Sequence, residues 1–180
     1  MRILLKLTLD CSPEAAWRAL HSPAVLREVM SPWMDIRAAD PEGLPTRWEP
    51  GEYRVEAFAG GVLPVGEESI DLAYPDGLPE GVRMLRDTGG GRSGLVGSLR
   101  SWDHRMAVAP HPSRPGKTLY RDQLRLRAGL LAPAVWYGLW AFWQWRGARL
   151  VALAPGWELS LGADADAPAP GAAAGTAPAR

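Results

Sequence analysis

Apolar and polar side chains alternate at the start of the chain. Ile3, Leu5, Leu7 and Leu9 take turns with Arg2, Lys6 and Thr8, which predicts a strand with one dry and one wet face. Leu4 is the exception on the wet side. The period then changes. Ser12, Pro13 and Glu14 supply an N-cap, a first-turn proline and an acid at the positive helix end, so a short helix is expected through Leu20. His21-Ser22-Pro23 interrupts it, and Ser22 caps a second short helix from Pro23 to Met30. Trp17, Leu20, Val25, Leu26 and Val29 form the side of this pair expected to be buried.

From Trp33 onward, short apolar runs are separated by glycine and proline clusters, the punctuation of antiparallel strands. Met34 to Ala38 reads as a weak strand. Glu52 to Phe58, Val65 to Tyr74, Val82 to Thr88, Leu95 to Val108 and Lys117 to Arg127 read as stronger ones. The segment Pro133 to Leu153, PAVWYGLWAFWQWRGARLVAL, then predicts one long helix opened by its proline. It holds four of the nine tryptophans, and Trp136, Trp140 and Trp143 fall at i, i+4 and i+7 on one face. A helix this apolar needs a large concave surface to lie in. From Glu158 to Arg180 the chain is mostly Ala, Gly, Pro and Asp, and a disordered tail is expected after a single domain spanning residues 1–157.

The order is therefore strand, two short helices, about six strands in a meander, then one long helix: an α+β domain. Such a sheet curves too strongly to be stable without something in its palm, and the C-terminal helix is the natural plug.

Composition removes several function classes. Twenty basic residues balance twenty acidic ones, and no aromatic interleaving marks the basic row Arg121, Arg125 and Arg127, so nucleic-acid binding is not expected. Eighteen of the basic residues are Arg and only Lys6 and Lys117 are Lys, a compositional bias. The lone cysteine, Cys11, allows no internal disulfide, and no two of the three histidines have metal-ligand spacing, so neither a metal site nor a cofactor is expected. The first residues lack a continuous apolar segment with a small-residue cleavage site, and a cytoplasmic location is the expectation. Gly89-Gly-Gly-Arg-Ser-Gly94 lacks the Lys-Ser/Thr pair of a phosphate loop and reads as a flexible hairpin loop. With Ala59 to Pro64, whose Val62 and Leu63 are unusually apolar for a turn, it would form a lid.

Taken together, the opening strand with DCSPEAAWRAL, the segment RWEPGEYRVEAFAGGVLPVG, the strand TLYRDQLRLRAG and the helical FWQWRGARLVAL resemble the START/polyketide-cyclase (SRPBCC) superfamily and its helix-grip fold. The resemblance spans about residues 1–154 in the order and type of elements. It implies an apolar or amphiphilic cavity between the sheet and the long helix. It also implies a hydrophobic ligand such as a lipid, quinone or polyketide, with cyclase or aromatase chemistry in some members.

Strand alternation nominates the side chains that enter such a grip. Tyr120, Asp122, Leu124 and Leu126 share one face, with Arg121, Gln123, Arg125 and Arg127 on the other. On the preceding strand Arg100, Trp102, His104, Met106 and Val108 share a face, so Arg100 or His104 is the expected partner of Asp122. An inward carboxylate with such a partner would anchor a ligand's polar group or form a structural ion pair. His104 and Asp122 are the candidates for any catalysis, and the other two histidines, His21 and His111, are expected to face solvent. Glu68 shares a face with Ile70 and Leu72 and is expected near the cavity mouth. Trp102, Tyr120, Trp136, Trp140 and Trp143 complete the expected wall. The eighteen uncharged residues from Ala128 to Trp145 also admit a membrane span, and Tyr137, Trp143 and Trp145 an interfacial contact. The outer tryptophans offer a homodimer face.

Overall fold

The computed structural model describes residues 1–128 and 132–158, without the side chains of Arg100, Ala128 and Ala132. Strand β1 (Arg2–Leu9) is followed by α1 (Pro13–Leu20) and α2 (Pro23–Met30), then β2 (Met34–Ala38), β3 (Gly51–Ala59), β4 (Leu63–Ala73), β5 (Arg83–Asp87), the two-residue β6 (Gly90–Gly91), β7 (Leu99–Pro110) and β8 (Thr118–Ala128). The long helix α3 (Ala132–Leu153) follows, with a 3-10 turn at Ala154–Gly156 after it. The expected tail, beyond Glu158 itself, lies outside the described residues.

Both short helices start where their caps place them. The Ser12 hydroxyl accepts from the Ala15 N–H at 3.2 Å and that of Ser22 from the Val25 N–H at 3.3 Å, each satisfying an amide with no partner in the first turn. The strands form one antiparallel sheet in the order β1-β8-β7-β5-β4-β3-β2, with β6 attached to β4. Sequence neighbours β1 and β2 thus sit at opposite edges, and the two short helices span the gap between them. The architecture is a helix-grip: the sheet wraps α3, which packs on β1 and β8 and touches α2. Gly147 allows this close seat, because a Cβ there would come within 3.2 Å of Leu5 Cδ1.

Two elements differ from the sequence expectation. Val96–Ser98 is a 3-10 turn, so β7 begins at Leu99 instead of Leu95. The glycine loop is not a free hairpin. Arg92 N–H donates to Glu67 O at 2.8 Å and Leu95 N–H to Val65 O at 2.8 Å, which ties the segment to the edge of β4. Gly66 permits the approach, since a Cβ there would stand 2.1 Å from Ser93 O.

Side chains pack in two apolar clusters. The larger gathers Leu9, Ala15, Ala16, Val29, Val55 and Leu85 among others beneath α1 and α2, and the smaller joins Ile3, Leu124, Leu126 and Trp143. Among the described residues no helix is long and apolar enough to cross a membrane.

Candidate functional site

Between the palm of the sheet and α3 lies a cavity of about 850 Å³. Its size is within the range of small-molecule sites. Leu20, Val25, Leu26 and Val29 enter it from the short helices, Ile70, Leu72, Leu85 and Met106 from the sheet, and Leu139, Phe142 and Leu150 from α3. Trp33, Trp48, Trp102, Trp143 and Trp145 add aromatic wall. Four ionisable side chains interrupt this surface: Glu68, Asp87, His104 and Arg146.

Behind the wall stands Asp122, fully buried on β8. Its Oδ1 accepts from His104 Nε2 at 2.8 Å and from Trp143 Nε1 at 2.9 Å, and its Oδ2 accepts from the Tyr120 hydroxyl at 2.9 Å. Arg146 Nη2 lies 3.8 Å from Oδ2, close enough for charge attraction and too far for a hydrogen bond. Burial alone would push this carboxyl up. The charges of His104 and Arg146 and the hydrogen bonds from His104 and Trp143 outweigh it and hold the group well below the usual carboxylate range. Tyr120 moves the other way, since burial and the adjacent Asp122 charge raise its phenol well above normal.

Because a carboxylate only accepts, His104 presents Nε2 as a donor, so in the neutral form of the ring Nδ1 is the acceptor. Nδ1 has no hydrogen-bond partner among the described residues. Trp102 and Trp143 meet the imidazole edge-to-face, with ring centroids 6.1 and 5.4 Å away, and fix its plane.

Asp87 pairs with His104 in register across β5 and β7. It is committed on three sides, accepting at 3.0 Å from the amides of Asp71 and Gly89 and from Trp102 Nε1. Glu68 differs. It is ringed by protein with part of its surface on the cavity, and its carboxyl has no hydrogen bond among the described residues. Loss of hydration, assisted by the Asp87 charge, raises it to about 7.

Trp102, His104, Asp122, Tyr120 and Glu68 all lie on the inner face, as strand alternation predicts. Their roles divide further. Trp102, His104, Glu68 and Trp143 line the cavity, whereas Tyr120 and Asp122 lie behind it and orient what does. Trp136 and Trp140 do not line it. Trp136 sits past the cavity, over the start of β1, with its indole N–H 3.4 Å from Arg2 O. Trp140 turns outward and stacks on Trp136 and Tyr137. The expected tryptophan stripe runs beside the true inward one, which carries Leu139, Trp143, Arg146 and Leu150. Arg100 falls at a register shift between Leu99 and Ser101, where alternation breaks, and its side chain lies outside the described residues.

His21 corrects another expectation. It is buried, with Nδ1 2.7 Å from Trp17 O and Nε2 3.0 Å from the Tyr74 hydroxyl, and burial lowers its pKa. Cys11 is also buried, which pushes its thiol up to about 11 and leaves it unreactive. Among the described residues no cluster of His, Cys, Asp and Glu could hold a metal ion.

Two cavity residues, Arg146 and Asp87, are not among those the sequence singles out. Arg146 reads in sequence as the charge that ends an apolar run, yet it follows Trp143 by three and precedes Leu150 by four, inside the buried stripe. That spacing was the available signal. Asp87 alternates in step with Leu85 and carried a similar one.

No family model matches the chain, and neither does any curated protein. Solved structures do. A protein from Chromobacterium violaceum is 19% identical with a TM-score of 0.55, covering 86% of this chain and 96% of its own. A hypothetical protein from Helicobacter pylori is 14% identical with a TM-score of 0.60, covering 86% and 88%. One from Mycobacterium smegmatis is 13% identical with a TM-score of 0.52, covering 84% and 89%. At such identities the shared property is the fold.

Proposed function

We propose that this protein binds or carries a hydrophobic small molecule, of lipid, quinone or polyketide type, between its sheet and α3, as a cytoplasmic member of the START/polyketide-cyclase superfamily. The observation that carries the proposal is the cavity of about 850 Å³, whose wall is apolar apart from four ionisable side chains. Interiors are normally close-packed, and an apolar hollow of this size forfeits dispersion contacts that a ligand restores. Native mass spectrometry of the protein purified from its own host tests this. A co-purifying hydrophobic adduct is expected, and its consistent absence, with no quenching of tryptophan fluorescence by lipids, quinones or polyketides, overturns the proposal.

A second reading is proton-transfer chemistry of the cyclase or aromatase kind, favoured by the His104–Asp122 pair. Asp122 fixes the tautomer that makes Nδ1 a base, and Glu68 supplies an acid half-protonated near neutrality. In that case His104→Gln abolishes turnover of a bound polyketide-like substrate and leaves its affinity nearly unchanged. Loss of affinity without any turnover in the parent protein returns the site to carriage.

The rim supports a route for loading. Trp33 lines the cavity and is 61% exposed, and its carbonyl receives the Gly60 N–H of the loop bearing Val62, itself 81% exposed. Peripheral contact of this rim with a membrane is part of the proposal, and Val62→Asp should weaken sedimentation with vesicles.

A further inference from the structure

We infer that the occupant of the cavity ends in a carboxylate and that Arg146 receives it. This deepens the reading of the cavity as a site for an apolar molecule and rests on it. Arg146 is 5% exposed, lines the cavity, and carries its charge among Met106, Trp143 and Leu150. Its donors are poorly used. Nε is buried without a hydrogen-bond partner, Nη2 donates to the weak thioether acceptor of Met106 at 3.5 Å, and the guanidinium also interacts with the Tyr120 hydroxyl. The guanidinium also lies over the Trp143 ring at 5.4 Å.

Asp122 neutralises the charge of Arg146 without satisfying its hydrogen bonds. Both Asp122 oxygens are already occupied by His104, Trp143 and Tyr120, and the guanidinium stands off at 3.8 Å. Two structural features therefore coincide at one place: a buried cation with donors to spare, and an apolar hollow large enough for a molecule that would bring an acceptor. Arg18 and Arg149 also hold an unpartnered Nε, but neither lines the cavity.

The fork of a guanidinium matches the two oxygens of a carboxylate, and such a charge-assisted pair is stronger in a dry site than a bond to a neutral carbonyl. A phosphate head would bring a second negative charge into a wall that already holds Glu68 and Asp87. A monoanion on an apolar body fits both constraints.

Tryptophan-fluorescence titration of the full chain with dodecanoate, methyl dodecanoate and dodecanol tests the inference at neutral pH. The acid should bind about tenfold or more tightly than the ester or the alcohol. Arg146→Met should lose that preference while changing ester affinity by less than about threefold, and Arg146→Lys should retain part of it. An Arg146→Met protein that still prefers the acid overturns the assignment. Should that variant fail to fold, the three ligands on the parent protein decide alone. Equal binding of all three overturns the carboxylate head and leaves the cavity reading intact; binding of none also overturns the carboxylate head, and the cavity reading is then decided by the quinone and polyketide titrations.

Discussion

Asp122 on β8 and Glu68 on β4 are both carboxyls on the inner face of one sheet, yet Asp122 accepts three hydrogen bonds and Glu68 none among the described residues. Burial raises the free energy of the charged form in both. At Asp122 the neighbouring His104 and Arg146 and a set of fixed donors reverse the balance, and the group stays ionised. At Glu68 nothing does, the neighbouring Asp87 adds repulsion, and the group is raised to about 7. The difference separates a polar cluster that organises the wall from a polar group left available to whatever fills the cavity. A buried carboxyl thus signals structure or function according to how completely it is satisfied.

Replacing each residue by its amide is the strongest way to break this comparison. Asp122→Asn leaves Arg146 without its counter-ion in a dry site, and the expected loss is about 3 kcal/mol or more in urea-induced unfolding. Glu68→Gln leaves no charge stranded and should be neutral or stabilising at pH 8. Equal losses in the two variants would mean that the wall is one undivided network.

The pH dependence of stability sharpens the contrast, because the two groups act with opposite sign. Asp122 is depressed, so its contribution is present above its unfolded value of 3.8 and is lost as acid approaches its folded value. Glu68 is raised from 4.5 to about 7, so the unfolded chain releases its proton first and stability falls across that interval as pH rises. Subtracting the Glu68→Gln profile from the parent profile isolates the second effect. A difference on the order of 2–3 kcal/mol should develop between pH 4.5 and pH 8. A flat difference would show that Glu68 titrates as an ordinary surface acid.

Much of this contrast was open to inspection in the chain itself. Period-two alternation placed Asp122 beside Leu124 and Leu126, and Glu68 beside Ile70 and Leu72, because a strand offers only two faces. The proline and serine positions at Ser12 and Ser22 located two helix starts for the same local reason. What remained hidden was non-local. Arg146 meets Asp122 across a gap of 24 residues, from a helix whose rotation is set by contact with β1 and β8. Tryptophan content also misled, since Trp136, Trp140 and Trp143 share a stripe by angle while only Trp143 lies over the palm. His21, by its place at a helix end, is expected to be exposed. Its burial depends on Tyr74, 53 residues away. Arg100 sits at a register irregularity between Leu99 and Ser101, and its side chain lies outside the described residues.

The smallest effect resolves the question within α3. Trp143 and Trp140 are one turn apart and chemically identical, but Trp143 is buried and donates to Asp122, whereas Trp140 is 39% exposed. Trp143→Phe keeps an aromatic body against His104 and removes the indole N–H, so one of three donors to a buried charge is lost. That should cost about 1–3 kcal/mol, partly relieved if a water molecule reaches the vacated space from the cavity. Trp140→Phe removes surface stacking on Trp136 and Tyr137 and should stay within about 0.5 kcal/mol. Combining Trp143→Phe with Asp122→Asn in a double-mutant cycle identifies the cause. If the indole acts through Asp122, the double variant loses less than the sum of the single ones, by about the worth of that hydrogen bond. If the losses add, Trp143 stabilises the wall by packing alone, and Asp122 is organised by β7, β8 and Arg146 without it.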